Sequence, residues 1–163
     1  MSELHQTSHA KGREDRPSVR VGGLLVVEGR VVLVRQRRGG EAYWLLPGGG
    51  VRFGEGLAEA LRREFHEELG LPIASERPVA LAESIAPDLS VYAKHVLHVV
   101  FAVRLAGAMD LERLAPRDDA VLEVATFSPG DFDGLALRPP IAEFIASCCQ
   151  HPPDGLVYLG RRW

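Results

Sequence analysis

The sequence predicts a single mixed α/β domain, and three observations lead to that prediction. Runs of β-branched residues typical of strands occur in both halves of the chain. Between them, one stretch repeats its apolar residues at helical spacing, and a second helical stretch follows near the end of the sequence. The 163 residues suit one domain that is large enough to bury a core. This order of strands and helices is typical of mixed α/β architectures.

The composition is that of an ordinary globular protein, with 46% hydrophobic and 25% charged residues. A formal charge of −3 gives no broad basic field for nucleic acid. No apolar run reaches the roughly 18 residues that span a bilayer, and the first residues lack an apolar signal core. The adjacent Cys148 and Cys149 favour free, buried thiols in a reducing compartment. We therefore expect a cytoplasmic protein without nucleic-acid or membrane partners.

The first half of the chain begins with residues 1–17, which are polar and which we expect to form a disordered arm; residues 18–163 form the domain. Two β-branched runs, VRVGGLLVV and RVVLVRQ, flank Glu28 and Gly29, and this pattern predicts a β-hairpin. A short strand is expected near residues 43–46. A glycine-rich turn then leads to a helix over residues 57–69, which Gly70 ends.

The second half is predicted to contain three further strands and a final helix. The strands cover residues 79–85, 94–105 and 121–127, and the longest of them reads as a central strand that is buried on both faces. Residues 129–135 indicate a turn or a short helix, and residues 141–149 indicate the last helix. The tail at residues 156–159 either adds a closing strand or packs on the surface.

The central helix places three carboxylates on one face, because Glu64, Glu67 and Glu68 stand at positions i, i+3 and i+4. Like charges at this spacing destabilise a helix, so a bound cation is a better explanation than a solvated acidic face. Hard divalent ions such as Mg²⁺ prefer several carboxylate oxygens, whereas no set of cysteines and histidines has the spacing of a zinc site.

The residues around this helix resemble the Nudix box. The pattern is a glycine, a glutamate, an Arg-Glu pair, a Glu-Glu pair, a glycine and an aliphatic residue, here Gly49, Glu55, Arg63-Glu64, Glu67-Glu68, Gly70 and Leu71. Phe65 stands where the family usually has an aliphatic residue. The segment WLLPGG before the box also resembles the family. The resemblance implies a Nudix-type α/β/α sandwich with a mixed β-sheet.

The resemblance also implies roles for these residues. Mg²⁺, or Mn²⁺ as a substitute, would bind Glu64, Glu67 and Glu68, helped by a main-chain oxygen of Gly48 or Gly49. Glu55 and Arg63 would brace the loop against the helix, while Gly49, Glu55 and Gly70 would shape the box. The predicted catalytic residues are Glu64, Glu67 and Arg63, with Glu64 the first choice of general base and Glu67 the second. A further acid often joins such sites, and the candidates are Glu123, Asp119 and Asp118.

The implied reaction is hydrolysis of a phosphoric anhydride in a nucleoside diphosphate linked to another moiety. Relatives that act on ADP-ribose often have a proline about 16 residues past the box, as Pro87 is here, which favours ADP-ribose or a related nucleotide sugar. The alternatives are a nucleoside triphosphate pyrophosphohydrolase and a non-catalytic module that senses a nucleotide. A homodimer is possible. Candidate contacts for the small nucleotide are Arg35, Arg37, Arg52, Trp44 and Pro87, although a solvated strand end or core packing would also explain the two strand arginines and Trp44.

Overall fold

The computed structural model describes residues 16–87, 94–108, 110 and 113–163, so the predicted N-terminal arm lies almost wholly outside the described residues. None of the helices in these ranges is long and apolar enough to cross a membrane. A short 3-10 helix at Pro129–Phe132 follows the sixth strand. The strands and helices are β1 (Ser18–Val27), β2 (Arg30–Arg38), β3 (Glu41–Leu45), α1 (Leu57–Leu69), β4 (Ile73–Ile85), β5 (His95–Leu105), β6 (Val121–Phe127), α2 (Ala142–Gln150) and β7 (Val157–Arg161).

The strands form a mixed sheet in the order β3-β2-β1-β5-β4-β7, with β6 on the other edge of β2. β1 pairs in parallel with β5, and β4 pairs in parallel with β7, while the other pairs are antiparallel. β1 contacts β2 only where the hairpin closes, at Val26 and Val27, and then continues along β5. The two halves of the sheet therefore diverge at the end of the hairpin away from its turn.

One helix covers each face of the sheet. Leu61 and Phe65 of α1 pack in a core with the even-numbered positions of β2, Val32 and Val34. The odd-numbered Val31 and Leu33 of β2 lie in the opposite core, which contains α2. This alternation follows from the period of two along a strand. The predicted α/β/α sandwich with a mixed sheet is confirmed.

Several elements agree with the sequence predictions. Glu28 and Gly29 have positive φ angles of 53° and 74°. A two-residue hairpin turn requires positive φ at both positions so that the turn matches the twist of the two strands. α1 covers the predicted residues, and it ends at Gly70, which is left-handed at φ 67° and donates to the carbonyl of His66. In α2, Cys148 is buried and Cys149 is half-buried, and both are free thiols.

The strand predicted at residues 79–85 is longer than expected, because β4 begins at Ile73. Its first half is polar and contains Pro78, so the sequence lacks the alternation that indicates a strand. Pairing with β5 continues nonetheless, and register shifts after Ile73 and after Pro78 accommodate the irregular residues. β5 lies between β1 and β4 as predicted, yet both of its faces are buried only around Val99–Phe101. The tail forms the closing strand β7 beside β4.

The packing of Phe65 depends on a glycine in β1. A Cβ atom on Gly23 would lie 2.3 Å from the Phe65 ring, closer than side-chain carbons approach each other. Gly23 lies between Val21 and Leu25 on the face that α1 covers, so its missing side chain leaves the space that the ring fills. The aromatic residue in the box is therefore matched by a gap in the neighbouring strand.

We expect Gly23→Ala to lower the free energy of unfolding by about 1–3 kcal/mol, because the added methyl group overpacks the core at the Phe65 ring. In a Phe65→Leu background the same change should cost much less, since the smaller side chain leaves room for it. Urea unfolding of the two single variants and the double variant measures this coupling. Additive effects would contradict the proposed steric match.

His98 is a half-buried residue of β5 at its border with β1. It pairs in register with Arg20, and its Nε2 lies 3.0 Å from the hydroxyl of Ser84. Burial, reinforced by the nearby charges of Arg20 and Lys94, lowers the pKa of His98 from 6.5 to about 4. The imidazole is therefore neutral in the folded protein under conditions in which the unfolded chain binds a proton.

This shift predicts a loss of stability in acid. Between pH 6.5 and pH 4 the unfolded state binds a proton at His98 that the folded state does not, so the free energy of unfolding falls as the pH falls. The contribution amounts to at most about 3 kcal/mol. His98→Gln removes the titrating group and should flatten this part of the profile, as urea unfolding at pH 7 and pH 4.5 would show. Equal acid losses in both proteins would contradict the prediction.

Candidate active site

The glycine-rich segment before the box runs beside β1 and is hydrogen-bonded to it, with one isolated bridge between Arg20 and Gly50. Gly23 donates to the carbonyl of Pro47 at 2.8 Å, Val21 donates to the carbonyl of Gly49 at 3.0 Å, and Val51 donates back to the carbonyl of Val19 at 3.0 Å. The segment therefore occupies the edge of β1 that β2 leaves unpaired, and it brings its backbone next to α1.

Gly48 and Gly49 lie too close to neighbouring atoms for either residue to carry a side chain. Gly48 has φ 141°, and a Cβ atom there would lie 2.2 Å from the carbonyl oxygen of Val21. A Cβ atom on Gly49 would lie 2.2 Å from the carboxylate of Glu64. A side chain at either position would separate the segment from β1 or from α1, so the glycines set the distance between the backbone and the acidic helix.

Arg63 connects the acidic residues of the box to one another. Its Nε and Nη2 atoms bind both oxygens of Glu55, at 2.7 and 3.0 Å, in a bidentate pair. Its Nη1 atom binds Glu64 at 2.5 Å and Glu67 at 3.1 Å. Nη2 also donates to the carbonyl of Gly50 at 3.1 Å. The guanidinium group thus fixes the loop and two helical carboxylates at once.

The charges in this network stabilise each other. Hydrogen bonds from the Arg63 side chain, and then from the Arg52 backbone, lower the pKa of Glu55 to about 2. The same hydrogen bond with Glu55 raises the pKa of Arg63 above its ordinary value. Glu55 is therefore ionised at any pH at which the protein is expected to be folded, which suits an orienting residue and not a proton carrier.

Glu68 is the buried carboxylate of the site, with 4% of its surface exposed. One oxygen accepts from the backbone amide of Gly48 at 2.9 Å, and the other accepts from the side-chain amide of Gln36 at 3.0 Å. Burial raises the pKa of Glu68 to about 7, although the Gly48 hydrogen bond and the charge of Arg20 oppose this shift. A negative charge at Glu68 is therefore costly unless a further positive charge lies nearby.

Glu64 and Glu67 lie closer to solvent on the same helix. Glu64 is 15% exposed and Glu67 is 41% exposed, and Arg52 approaches the second oxygen of Glu67 at 3.6 Å. In the described ranges no three acidic, histidine or cysteine side chains converge tightly enough to hold an ion, because Arg63 binds Glu64 and Glu67 while Gly48 and Gln36 bind Glu68. The donors are all oxygens, and the charge of Arg20 only partly offsets the burial of Glu68, so the set suits a hard divalent cation in its chemistry.

The three candidates for a further acid lie in different places. Glu123 pairs with Arg35 at 3.3 Å, on the face of β2 opposite to Gln36. Asp118 accepts from the backbone amide of Ala120 at 2.7 Å, and its charge contributes to the raised pKa of Glu68. Asp119 is exposed in the same turn. Of the three, Asp118 is the one whose charge acts on the box.

The candidate substrate contacts are also dispersed. Arg35 and Arg37 lie on the face of β2 away from Gln36, and the guanidinium of Arg35 lies over the Trp44 ring at 5.8 Å. Trp44 packs edge-on against Phe127. The two remaining candidates are Arg52, beside Glu67, and Pro87, which is exposed just after β4 and borders residues outside the described part.

Sequence reasoning missed two residues that contact this site. Gln36 binds Glu68, and Arg20 donates from Nη2 to the carbonyl of Gly48. Both are polar residues in apolar strands, at positions where alternation alone indicates a solvated side chain. Their positions in the strands could have indicated this role. Gln36 follows Val34 on the face of β2 that α1 covers. Arg20 lies in the part of β1 that pairs with the glycine-rich segment.

Comparisons with known proteins agree with this architecture. The model of the NUDIX domain matches residues 16–148. The chain is 29% identical over 101 residues to the phosphatase NudJ of Escherichia coli K12, an alignment that covers 62% of this chain and 60% of that protein. The matched region therefore spans about 60% of the length of such curated relatives.

Solved structures show the same fold. A MutT NUDIX hydrolase from Burkholderia pseudomallei is 25% identical, with a TM-score of 0.61 over 71% of this chain and 86% of that one. An ADP-ribose pyrophosphatase from Streptococcus suis is 21% identical, with a TM-score of 0.63 over 88% of this chain and 99% of that one, a likeness of fold alone. Since the NUDIX model matches most of the sequence and the box geometry is intact, this chain belongs to the Nudix hydrolase family.

Proposed function

We propose that this chain hydrolyses a phosphoric anhydride bond in a nucleoside diphosphate linked to another moiety, with Mg²⁺ as its cation and Mn²⁺ as a substitute. The observation that supports this activity is the Arg63 network, in which one guanidinium group holds Glu55, Glu64 and Glu67 in front of the glycine-rich segment. The proposed partner is a small nucleotide in the cytoplasm.

Nudix hydrolases generally use divalent metal ions. In this chain Glu64, Glu67 and Glu68 would hold the ion, with the carbonyl of Gly48 or Gly49 as a further donor. When bound, such an ion neutralises phosphate oxygens and makes the attacking water more acidic. The Gly48 amide and Gln36 orient the carboxylate of the buried Glu68, and a bound cation would favour the ionised form of that carboxylate.

Glu64 is the general base that the geometry supports best. Its Oε1 atom is held by Arg63 at 2.5 Å, whereas its Oε2 atom accepts no hydrogen bond from any described residue. One oxygen therefore orients the carboxylate, and the other is available to take a proton from water. Glu67 is more exposed and is approached by both Arg63 and Arg52, which makes it the second choice. Asp118 is the further acid that we favour.

ADP-ribose or a related nucleotide sugar is the substrate class that we favour. Pro87 has the spacing from the box that relatives acting on ADP-ribose often have, and one solved relative of the same fold is an ADP-ribose pyrophosphatase. Arg52 lies at the mouth of the box and can meet substrate phosphates. Nucleoside triphosphates are the alternative class. A regulatory module without catalysis has less support, since every carboxylate of the box is present.

The carboxylates of the box allow a direct test of the proposed reaction. Glu64→Gln and Glu68→Gln should each lower kcat by about 10²–10⁴, because each removes a charge or a base from the reacting centre. Glu59→Gln is the matched control on the same helix, since Glu59 caps the helix by accepting from Gly56 at 2.8 Å and lies outside the site. Release of nucleoside monophosphate from ADP-ribose and from a nucleoside triphosphate panel gives the rates.

Thermal melting tests whether a carboxylate variant has lost a ligand of the metal or only the general base. Mg²⁺ should raise the Tm of the wild type and of Glu59→Gln more than that of Glu68→Gln, because binding to the native state alone is stabilising. Full activity in both site variants would refute the assignment. Nucleotide binding without turnover across the panel, with Mg²⁺ or Mn²⁺ present, would favour the sensing module instead.

Arg63 allows a separate test of the proposed site. Lysine keeps the positive charge but cannot bind Glu55 through two parallel hydrogen bonds while also reaching Glu64. Arg63→Lys should therefore lower kcat/KM by about 10- to 100-fold, as loss of orienting partners around ligands typically does. Arg62→Lys is the control, since Arg62 binds Glu76 away from the site. Equal activity of the two variants would show that charge alone suffices.

A further inference from the structure

The C-terminal part of the chain carries most of the large apolar side chains that the described residues leave exposed. Four of the seven lie within residues 156–163, namely Leu156, Val157, Tyr158 and Trp163. Exposed apolar residues that are scattered singly are common, whereas a group of them usually marks a contact surface. The NUDIX model ends at residue 148, so this group lies outside the part of the chain that matches the family.

β7 carries the centre of this group and is the last strand of the sheet. It pairs with β4 on one side, and no strand in the described ranges pairs with its other side. An edge strand presents unpaired amide and carbonyl groups, and proteins usually protect such an edge with charged residues, proline or a covering segment. Residues 157–160 contain no charge and no proline. Arg161 donates to the carbonyls of Ile85 and Ala86, so its charge is held against the end of β4 and does not protect the edge.

Tyr158 is held in place although its ring is exposed. Its hydroxyl donates to the carboxylate of Glu83 at 2.6 Å, while 65% of the residue remains exposed. A side chain that is already oriented loses less conformational freedom when it binds. Aromatic residues are also enriched among the residues that contribute most to interfaces. Tyr158 therefore suits the centre of a contact surface.

We propose that the outer edge of β7 pairs with β7 of a second copy of this chain, antiparallel and about a two-fold axis at Tyr158. This register sets Val157 of each copy opposite Leu159 of the other, and Tyr158 opposite itself. Val157 and Leu159 lie on the face of the sheet that α2 covers, and Tyr158 lies on the face that α1 covers. Apolar residues therefore meet on both faces, and the contact closes at two copies because both use the same surface.

The charges at the two ends of β7 favour a second copy over a different partner. Asp154 precedes the strand and Arg162 follows it, and in the part of the chain that the structure describes neither side chain forms an ion pair. The two cannot bind each other within one copy, because the five residues Val157–Arg161 hold them more than roughly 13 Å apart.

Antiparallel pairing about Tyr158 brings these charges together. Asp154 and Arg162 each lie four residues from Tyr158, in opposite directions along the chain. The two-fold axis therefore places the Asp154 end of each copy beside the Arg162 end of the other. The edge of β7 is thus complementary to itself in charge as well as in its apolar side chains.

Sedimentation velocity of the purified full chain over a range of concentrations tests the proposal. We expect a reversible equilibrium between monomer and dimer. Val157→Lys places a charge on the edge and should raise the Kd of the dimer by roughly ten-fold or more. Leu122→Lys is the matched control, because Leu122 is also an exposed apolar residue but lies on β6, away from β7, and this variant should keep the wild-type Kd. Thermal melting checks that each variant is folded.

An exchange of charges tests the two-fold register. Asp154→Arg alone and Arg162→Asp alone should each weaken the dimer several-fold, because each brings like charges together at both ends of the contact. The variant that carries both changes restores opposite charges and should recover most of the lost affinity. The effect of either single change should shrink as salt is raised.

Hydrogen exchange reports on the backbone pairing itself. Amides of residues 157–159 should become more protected as the concentration rises through the Kd of the dimer, whereas those of β6 should not. A chain that stays monomeric at every concentration would overturn the proposal and would favour a different protein as the occupant of this edge. A dimer that Val157→Lys and the single charge changes leave intact, or that Leu122→Lys weakens equally, would also overturn it.

Discussion

The arrangement of the candidate site depends on the single guanidinium group of Arg63. Glu64 and Glu67 would repel each other on the open face of a helix, and Arg63 lies between them while its other edge binds both oxygens of Glu55. The loop that carries Glu55 is thereby attached to the helix, and Gly50 joins through its carbonyl. Arginine suits this position because its planar group offers several donors in fixed directions. The result is an acidic surface that is ordered before any cation binds.

The sequence predicted those parts of the structure that local patterns determine. α1 was predicted at its observed residues, because four apolar residues at helical spacing indicate the helix and Gly70 indicates its end. The hairpin at Glu28 and Gly29 was predicted for a similar reason. The polar first half of β4 was missed, since only its partner β5 makes it a strand. The family resemblance indicated the carboxylates of the box, but no local pattern indicated that Gln36 would hold Glu68.

The glycines illustrate the same limit. Gly48 and Gly49 read as a turn in the sequence, yet their function is to let the backbone pass close to β1 on one side and Glu64 on the other. A glycine generally weakens a strand, yet Gly23 provides the space for the Phe65 ring. Phe65 is larger than the aliphatic residue that the box usually has, and its ring fits because Gly23 has no side chain. Such pairs of residues are distant in sequence, so their meaning depends on the packing of α1 against β1.

Gly48 also marks a boundary between two electrostatic environments. Its amide donates to the carboxylate of Glu68, and its carbonyl accepts from Arg20, so acidic and basic residues meet at one backbone position. The charge of Arg20 opposes the rise that burial causes in the pKa of Glu68, so it favours the ionised form of that carboxylate. Burial has the larger effect of the two, and the pKa of Glu68 still lies at about 7. A divalent cation beside Glu68 would add to the effect of Arg20 and favour the ionised carboxylate further.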